Sequence, residues 1–441
     1  MIGRAFVVLL CSFLFAATGA KAQTYNNIYD FCAQPSCADG DSPQTGLIAD
    51  TAGNLYGTAQ NGSFTRGVVF ELSPNGSGGW TYSVIHDFCA VRQCADGTNP
   101  SGPLIIDGAG NLYGVAGGGG KTGYGLVYEL MPQGGGLWNL AVLRSFCKQV
   151  ACLDGAYPSG ALSYLGQRGG ALYDGTSPLY GTTTVGGAFQ QGTVYTLTPP
   201  PSGAHRTWWS SKILHSFCPE GGYCLMDGSG PSTGVVVDSN NVLFGTTPDG
   251  GQFYTGTLFK LTRSGGGWTK LILHTFCSAN RCADGGVPLG LAENDAGDLF
   301  GATTIGPHKP GCVQTGCGTI FEMSPQTGTL TTLYSFCSLP RCTDGRIPSG
   351  PVTMLDNGDL IGVTSEGGDG SNQNHGGGVL YRFSGTTLTV LHAFCGLANC
   401  DDGLFPSGTV AVDGKGRMFG TTTNGGTGFY GQLGTIYELA P

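Results

Sequence analysis

Residues 276–290 read F-C-S-A-N-R-C-A-D-G-G-V-P-L-G, from Phe276 through Cys277, Cys282, Asp284 and Pro288 to Gly290. An aromatic residue, two cysteines four residues apart, an Asp-Gly turn, and a proline followed by glycine appear in that order. With small edits the string returns seven times, its Phe-Cys pairs starting at Phe31, Phe88, Phe146, Phe217, Phe276, Phe336 and Phe394. The intervals run from 57 to 60 residues, stretched to 71 between the third and fourth copies. A period of this size is the mark of a repeat architecture, in which each unit buries its apolar face only against its neighbours.

Each unit carries four strand-like segments. An apolar run follows the Asp-Gly turn, as in Gly102 to Asp107 (G-P-L-I-I-D). The second segment is typified by Asn54-Leu55-Tyr56-Gly57-Thr58, and a glycine-rich loop separates it from the third, Gly192 to Leu197 (G-T-V-Y-T-L). The fourth often opens on tryptophan, as in Trp268 to Phe276 (W-T-K-L-I-L-H-T-F). Short apolar runs bounded by glycine and aspartate are strand signals. Eighty glycines in 441 residues, with 40% hydrophobic and only 11% charged residues, fit many tight turns and a packed all-β chain rather than helices or disorder. Four antiparallel strands per unit and seven units predict a seven-bladed β-propeller over residues 23–441. Only one strand, Thr24 to Phe31, precedes the first Phe-Cys, and the last unit stops after its third strand. The N-terminal strand is therefore expected to complete the last blade and leave no open edge.

Residues 1–22 have the layout of a signal peptide: Arg4, an apolar stretch from Ala5 to Ala17, and Ala20-Lys21-Ala22 before the expected cut at Gln23. The protein is expected to be exported, secreted or periplasmic, without a membrane span and monomeric. The net charge of −9 and the lack of any Lys/Arg run exclude a nucleic-acid partner.

Sixteen cysteines follow the leader. In an exported chain the short recurring spacing predicts local disulfides: Cys32–Cys37, Cys89–Cys94, Cys147–Cys152, Cys218–Cys224, Cys277–Cys282, Cys312–Cys317, Cys337–Cys342 and Cys395–Cys400. Closing so short a loop is worth about 2 kcal/mol on the chain-entropy account. Zinc would need four ligands, and each unit offers two thiols with no histidine at matching spacing. No metal site is predicted; calcium is the one cofactor left open, through the seven Asp-Gly carboxylates Asp39, Asp96, Asp154, Asp227, Asp284, Asp344 and Asp402. Calcium asks for six to eight oxygens, so the plainer reading of these aspartates is turn capping.

The repeat, D-G-x-x-P-x-G-L, then G-N-L-Y-G-T, G-G-x-x-G-x-G-T-V-F-x-L and L-H-x-F, resembles that of the bacterial GloVer-type (Gloeobacter/Verrucomicrobium) proteins of the "choice-of-anchor" group. The resemblance covers essentially the whole chain after the leader, and it implies an exported bacterial propeller without an activity that can be carried over.

A residue present in every unit cannot mark a unique site, so candidate ligand-binding residues are sought where the repeat is broken. The third unit has a long first turn, Ser163 to Pro178, and a second insertion holding Trp208 and Trp209. The fifth enlarges its glycine loop around His308, and the sixth places Glu366, Asp369 and His375 in or beside the same loop. No Gly-x-Ser-x-Gly elbow, phosphate loop or dinucleotide fingerprint lies in a strand-to-helix context, and catalytic residues are not assigned. The expected function is a binding or scaffolding module for a glycan or another surface polymer, using the loops around the central channel. A polysaccharide hydrolase or lyase on the same face, and a purely structural envelope protein, are the alternatives.

Overall fold

A computed structural model describes residues 23–441 apart from 63–65, 202–208, 221, 310–311, 313–315, 369–375 and 429–431. The leader reading at residues 1–22 lies outside the described residues.

Seven antiparallel sheets follow one another along the chain, each a meander of four strand positions. Blade two shows the plan: Thr98–Ile106 is innermost, followed outward by Leu112–Gly118, Leu126–Gly134 and Leu137–Ser145. The second strand and the first five residues of the third are nearly all buried, as their apolar sequences require, whereas the outer strand alternates exposed and covered residues over its first half. Core side chains fill the spaces between successive blades; Tyr56 and Val69 of blade one, for example, pack with Leu104 and Leu112 of blade two.

The ring closes as expected. Thr24–Asp30 pairs antiparallel with Thr435–Ala440, from Thr24 opposite Ala440 to Asp30 opposite Thr435. The Tyr25 hydroxyl then donates to the Asp402 carbonyl at 2.6 Å, and its ring stacks on His392 with centroids 3.7 Å apart.

A proline-on-glycine contact explains why P-x-G and G-T-V-F recur. The glycine that opens each third strand has a positive φ, from 89° at Gly318 to 112° at Gly434. On that glycine sits the proline of the next blade: Pro158 on Gly125, Pro231 on Gly192, Pro288 on Gly256, and across the seam Pro43 on Gly434. A Cβ at Gly192 would lie 2.7 Å from Pro231 Cδ, so no other residue fits. The residue before each proline donates its N–H to the preceding blade, as Tyr157 does to Tyr124 (2.9 Å), Ile347 to Cys317 (2.9 Å) and Ser42 to Leu433 (2.9 Å). Val287 and Ile347 take this place at φ 53° and 57°, strained for β-branched residues and held there by the interlock.

The glycine of L-Y-G-T has a separate reason. The third-strand aromatic lies across it: Phe70 against Gly57, Phe259 against Gly245 and Tyr381 against Gly362, leaving no room for a side chain.

Candidate functional site

The loops that enter each blade and the loops between its second and third strands share one face of the ring. They meet through the glycine pair: the second glycine donates its N–H to the carbonyl of the second cysteine, from Gly120 to Cys94 (2.9 Å), Gly187 to Cys152 (2.9 Å), Gly251 to Cys224 (2.9 Å), Gly368 to Cys342 (3.0 Å) and Gly426 to Cys400 (3.0 Å).

All eight expected disulfides form. They hold an unusual backbone. In the loop 32–37 both cysteines and Ser36 have positive φ, and the same three positions do so in the loops at 89, 147, 277, 337 and 395. Three left-handed non-glycine residues in a row of six persist only where the surroundings over-determine them. The disulfide supplies one restraint, and the Asp-Gly carboxylate supplies the other.

That carboxylate is buried in every blade. Asp344 Oδ2 accepts from the Ser338 N–H at 2.7 Å and Oδ1 from the Leu339 N–H at 3.1 Å, and Asp39, Asp154, Asp284 and Asp402 hold their loops in the same way. A third partner comes from the residue two before the phenylalanine. It is the Tyr29 hydroxyl on Asp39 (2.7 Å), Arg144 on Asp154 (2.6 Å), His215 on Asp227 (3.1 Å), His274 on Asp284 (2.9 Å), Tyr334 on Asp344 (2.6 Å) and His392 on Asp402 (3.2 Å), with His86 3.4 Å from Asp96. Tyrosine, arginine and histidine are interchangeable here because each presents a donor to a buried carboxylate. Burial works against ionisation of Asp284, but the donors His274, Ser278 and Ala279 outweigh it and hold the carboxyl at about 2. Burial, then the nearby Lys270 charge, lowers His215 to about 4. These aspartates are ringed by donors, which is the wrong surrounding for calcium.

Of the residues singled out at breaks in the repeat, His308 is exposed in the glycine loop of blade five. Its neighbour Lys309 is tied to the corner into blade six, donating to the Ser335 and Phe336 carbonyls and to Ser338 Oγ. Glu366 ends the strand Leu360–Glu366 of blade six on the same face, 2.7 Å from the buried Arg346. Asp369, His375 and Trp208 lie outside the described residues. Trp209 sits at the opposite end of the ring, half-buried before the outer strand Ser210–Ser216, packed on the core of blades two and three with its ring 6.4 Å from Tyr113. The structure thus puts His308 and Glu366 on one face in adjacent blades and sets Trp209 apart from them. The Cys312–Cys317 bridge lies against Cys337, with three sulfurs within 4.8 Å, all of them in disulfides.

A feature that the repeat comparison missed is an arc of exposed aromatics on the disulfide face. Tyr124 and Tyr157 meet edge to face at 5.5 Å between blades two and three, and Tyr223 and Tyr254 do so at 5.6 Å on blade four. Phe189 and Phe253 stand exposed on the glycine loops between them, and Tyr223 is 75% exposed. Their signal was present in the sequence as aromatic residues gathered in the glycine and entry loops of units two to four.

Among solved structures, the chain is similar to a Trypanosoma rangeli sialidase in complex with the inhibitor DANA, at 10% identity over 83% of this chain and 56% of that one, with a TM-score of 0.42. It is similar to a Niastella koreensis GH74 enzyme at 14% identity over 83% of this chain and 46% of that one (TM-score 0.47), and to a Mycobacterium tuberculosis puromycin-hydrolyzing peptidase at 10% over 90% and 62% (TM-score 0.39). The chain spans about half the length of the first two. No curated protein matches it. The Gloeobacter/Verrucomicrobia repeat pattern matches residues 13–178 and 167–437, nearly the whole length, and the chain belongs to that family.

Proposed function

We propose that this protein is an exported binding module whose disulfide face takes up a glycan or another extended surface polymer. The observation that carries the reading is the aromatic arc over blades two to four, Tyr124, Tyr157, Phe189, Tyr223, Phe253 and Tyr254. Flat apolar rings with polar rims suit the faces of sugar rings, and side chains that gain nothing from the fold by staying in water are spent on a partner. The loops beneath are rigid, since each is tied by a disulfide, a buried carboxylate and the glycine-pair hydrogen bond, so little ordering cost remains for binding. Eight disulfides fit a compartment outside the reducing cytosol. No helix among the described residues is long and apolar enough to cross a membrane.

A glycan array with the oxidised protein, followed by a turnover assay on each hit, tests this. Binding without product is the expected result. Product formation would replace the binding module by an enzyme, and a blank array would remove the glycan.

A further inference from the structure

Behind the disulfide face, the seven inner strands enclose a channel of about 610 Å³, within the size range of small-molecule pockets, roughly 300–1,000 Å³. At its far end the long first turn of blade three crosses the opening. The inner strand Ala156–Ser163 runs into this turn, whose short 3-10 segment Gln167–Gly169 sets Arg168 against blade five, past blade four. Arg168 Nη1 donates to Glu293 Oε1 at 3.3 Å and Nη2 to Asp295 Oδ1 at 3.0 Å. Gln167, Arg168 and Glu293 line the same cavity as the seven inner strands.

Glu293 breaks the repeat. The residue opposite the start of the second strand is Ala49 in blade one, Ile106 in blade two, Val237 in blade four, Met354 in blade six and Val412 in blade seven, and in blade five it is Glu293 opposite Leu299. Its side chain is 2% exposed. One carboxylate oxygen is held by Arg168; the other, Oε2, has no hydrogen-bond partner among the described residues. A buried acceptor left in this state is costly, and nothing in the ring's construction calls for it. Burial raises the Glu293 pKa, Arg168 opposes this, and the Asp238 charge adds to the rise. Two carboxylates, Glu293 and Asp295, thus share the single Arg168 guanidinium, with the Asp238 charge acting on Glu293 as well. Val235, Leu291, Val352 and Met354 give the wall aliphatic stretches between its glycines, serines and threonines.

We propose that the channel is a second binding site, for a small organic amine whose ammonium group is received by Glu293 Oε2 and whose aliphatic body lies along the inner strands. The free oxygen asks for a donor, the local excess of carboxylates asks for positive charge, and the walls ask for a hydrocarbon stem. This site is independent of the aromatic arc.

Calorimetric titration of the oxidised protein with hexylamine, and with hexan-1-ol as its neutral match, tests the assignment. The wild type should bind the amine at least tenfold more tightly than the alcohol. E293Q should lose amine affinity at least tenfold, while L137S, in an outer hairpin away from the channel, should keep it. The proposal is overturned by an amine that does not bind, by equal affinity for the amine and the alcohol, or by E293Q that melts and binds like the wild type. The amine-against-alcohol comparison needs no variant and stands even where E293Q misfolds.

Discussion

His274 Nε2 lies 2.9 Å from Asp284 Oδ2, and that carboxylate also accepts the N–H groups of Ser278 and Ala279. With the Ser278 hydroxyl at 2.7 Å, four donors from one strand end and one disulfide loop converge on a single buried side chain. Asp284→Asn keeps the shape, removes the charge and turns one acceptor into a donor. A loss of about 2 kcal/mol is expected, as for hydrogen bonds to a charged group, and urea unfolding of the variant measures it.

The same aspartate sets part of the acid limit. Its folded pKa of about 2 lies below the ordinary 3.8, so its contribution is complete above 3.8 and is lost as pH falls toward 2. His215 acts at milder pH. The unfolded chain takes up a proton near 6.5, whereas the folded protein resists it down to about 4, so stability falls between those values as pH drops. His215→Tyr, which copies the donor of Tyr29 and Tyr334, should remove up to about 3 kcal/mol of that decline. Melting temperatures of both proteins from pH 7 to 4 check the sign: the variant's curve is the flatter one.

Gly192 carries the interlock between blades three and four at φ 94°, under Pro231. A Cβ at Gly192 would meet Pro231 Cδ at 2.7 Å and the Thr183 carbonyl oxygen nearer still, so Gly192→Ala must hold a left-handed residue and displace both neighbours, and a loss of about 3 kcal/mol is expected. Gly266, in an outer hairpin at φ 83° with open space around it, serves as the comparison: alanine there carries the backbone strain alone and should cost about 1 kcal/mol. Equal losses at the two sites would count against the close packing at Gly192.

The hydroxyls of Tyr128, Tyr195, Tyr381 and Tyr437 are buried with no partner among the described residues, at a position where other blades carry Phe70, Phe259 and Phe321. Tyr195→Phe and Tyr381→Phe should each leave stability unchanged or raise it by about 1 kcal/mol. A clear loss would mean that an ordered water completes the hydroxyl.

Blade count, strand order, ring closure and cysteine pairing were legible because repetition turns one reading into seven. Contacts between distant residues were not. Pro100 and Gly67 belong to different units, and only the closed ring sets one on the other. The insertion at Ser163 to Pro178 stood out in the sequence, yet nothing local links Arg168 to Glu293, 125 residues away. Histidine, tyrosine and arginine share the place two before the phenylalanine, and only the burial of Asp39 and its equivalents shows that each is there as a donor. The exposed aromatics are not marked by any insertion, because they substitute within loops of ordinary length.

The proposed binding by the disulfide face rests on its aromatic arc. Its most direct test is the affinity of the best array ligand for the wild type, for a Tyr124→Ala, Tyr157→Ala, Tyr254→Ala triple variant, and for Leu137→Ser, which alters an exposed apolar residue in a hairpin on the opposite face. At least a tenfold loss is expected for the triple variant at an unchanged melting temperature, and none for Leu137→Ser. Undiminished binding by the triple variant, or a loss caused by Leu137→Ser, would contradict it.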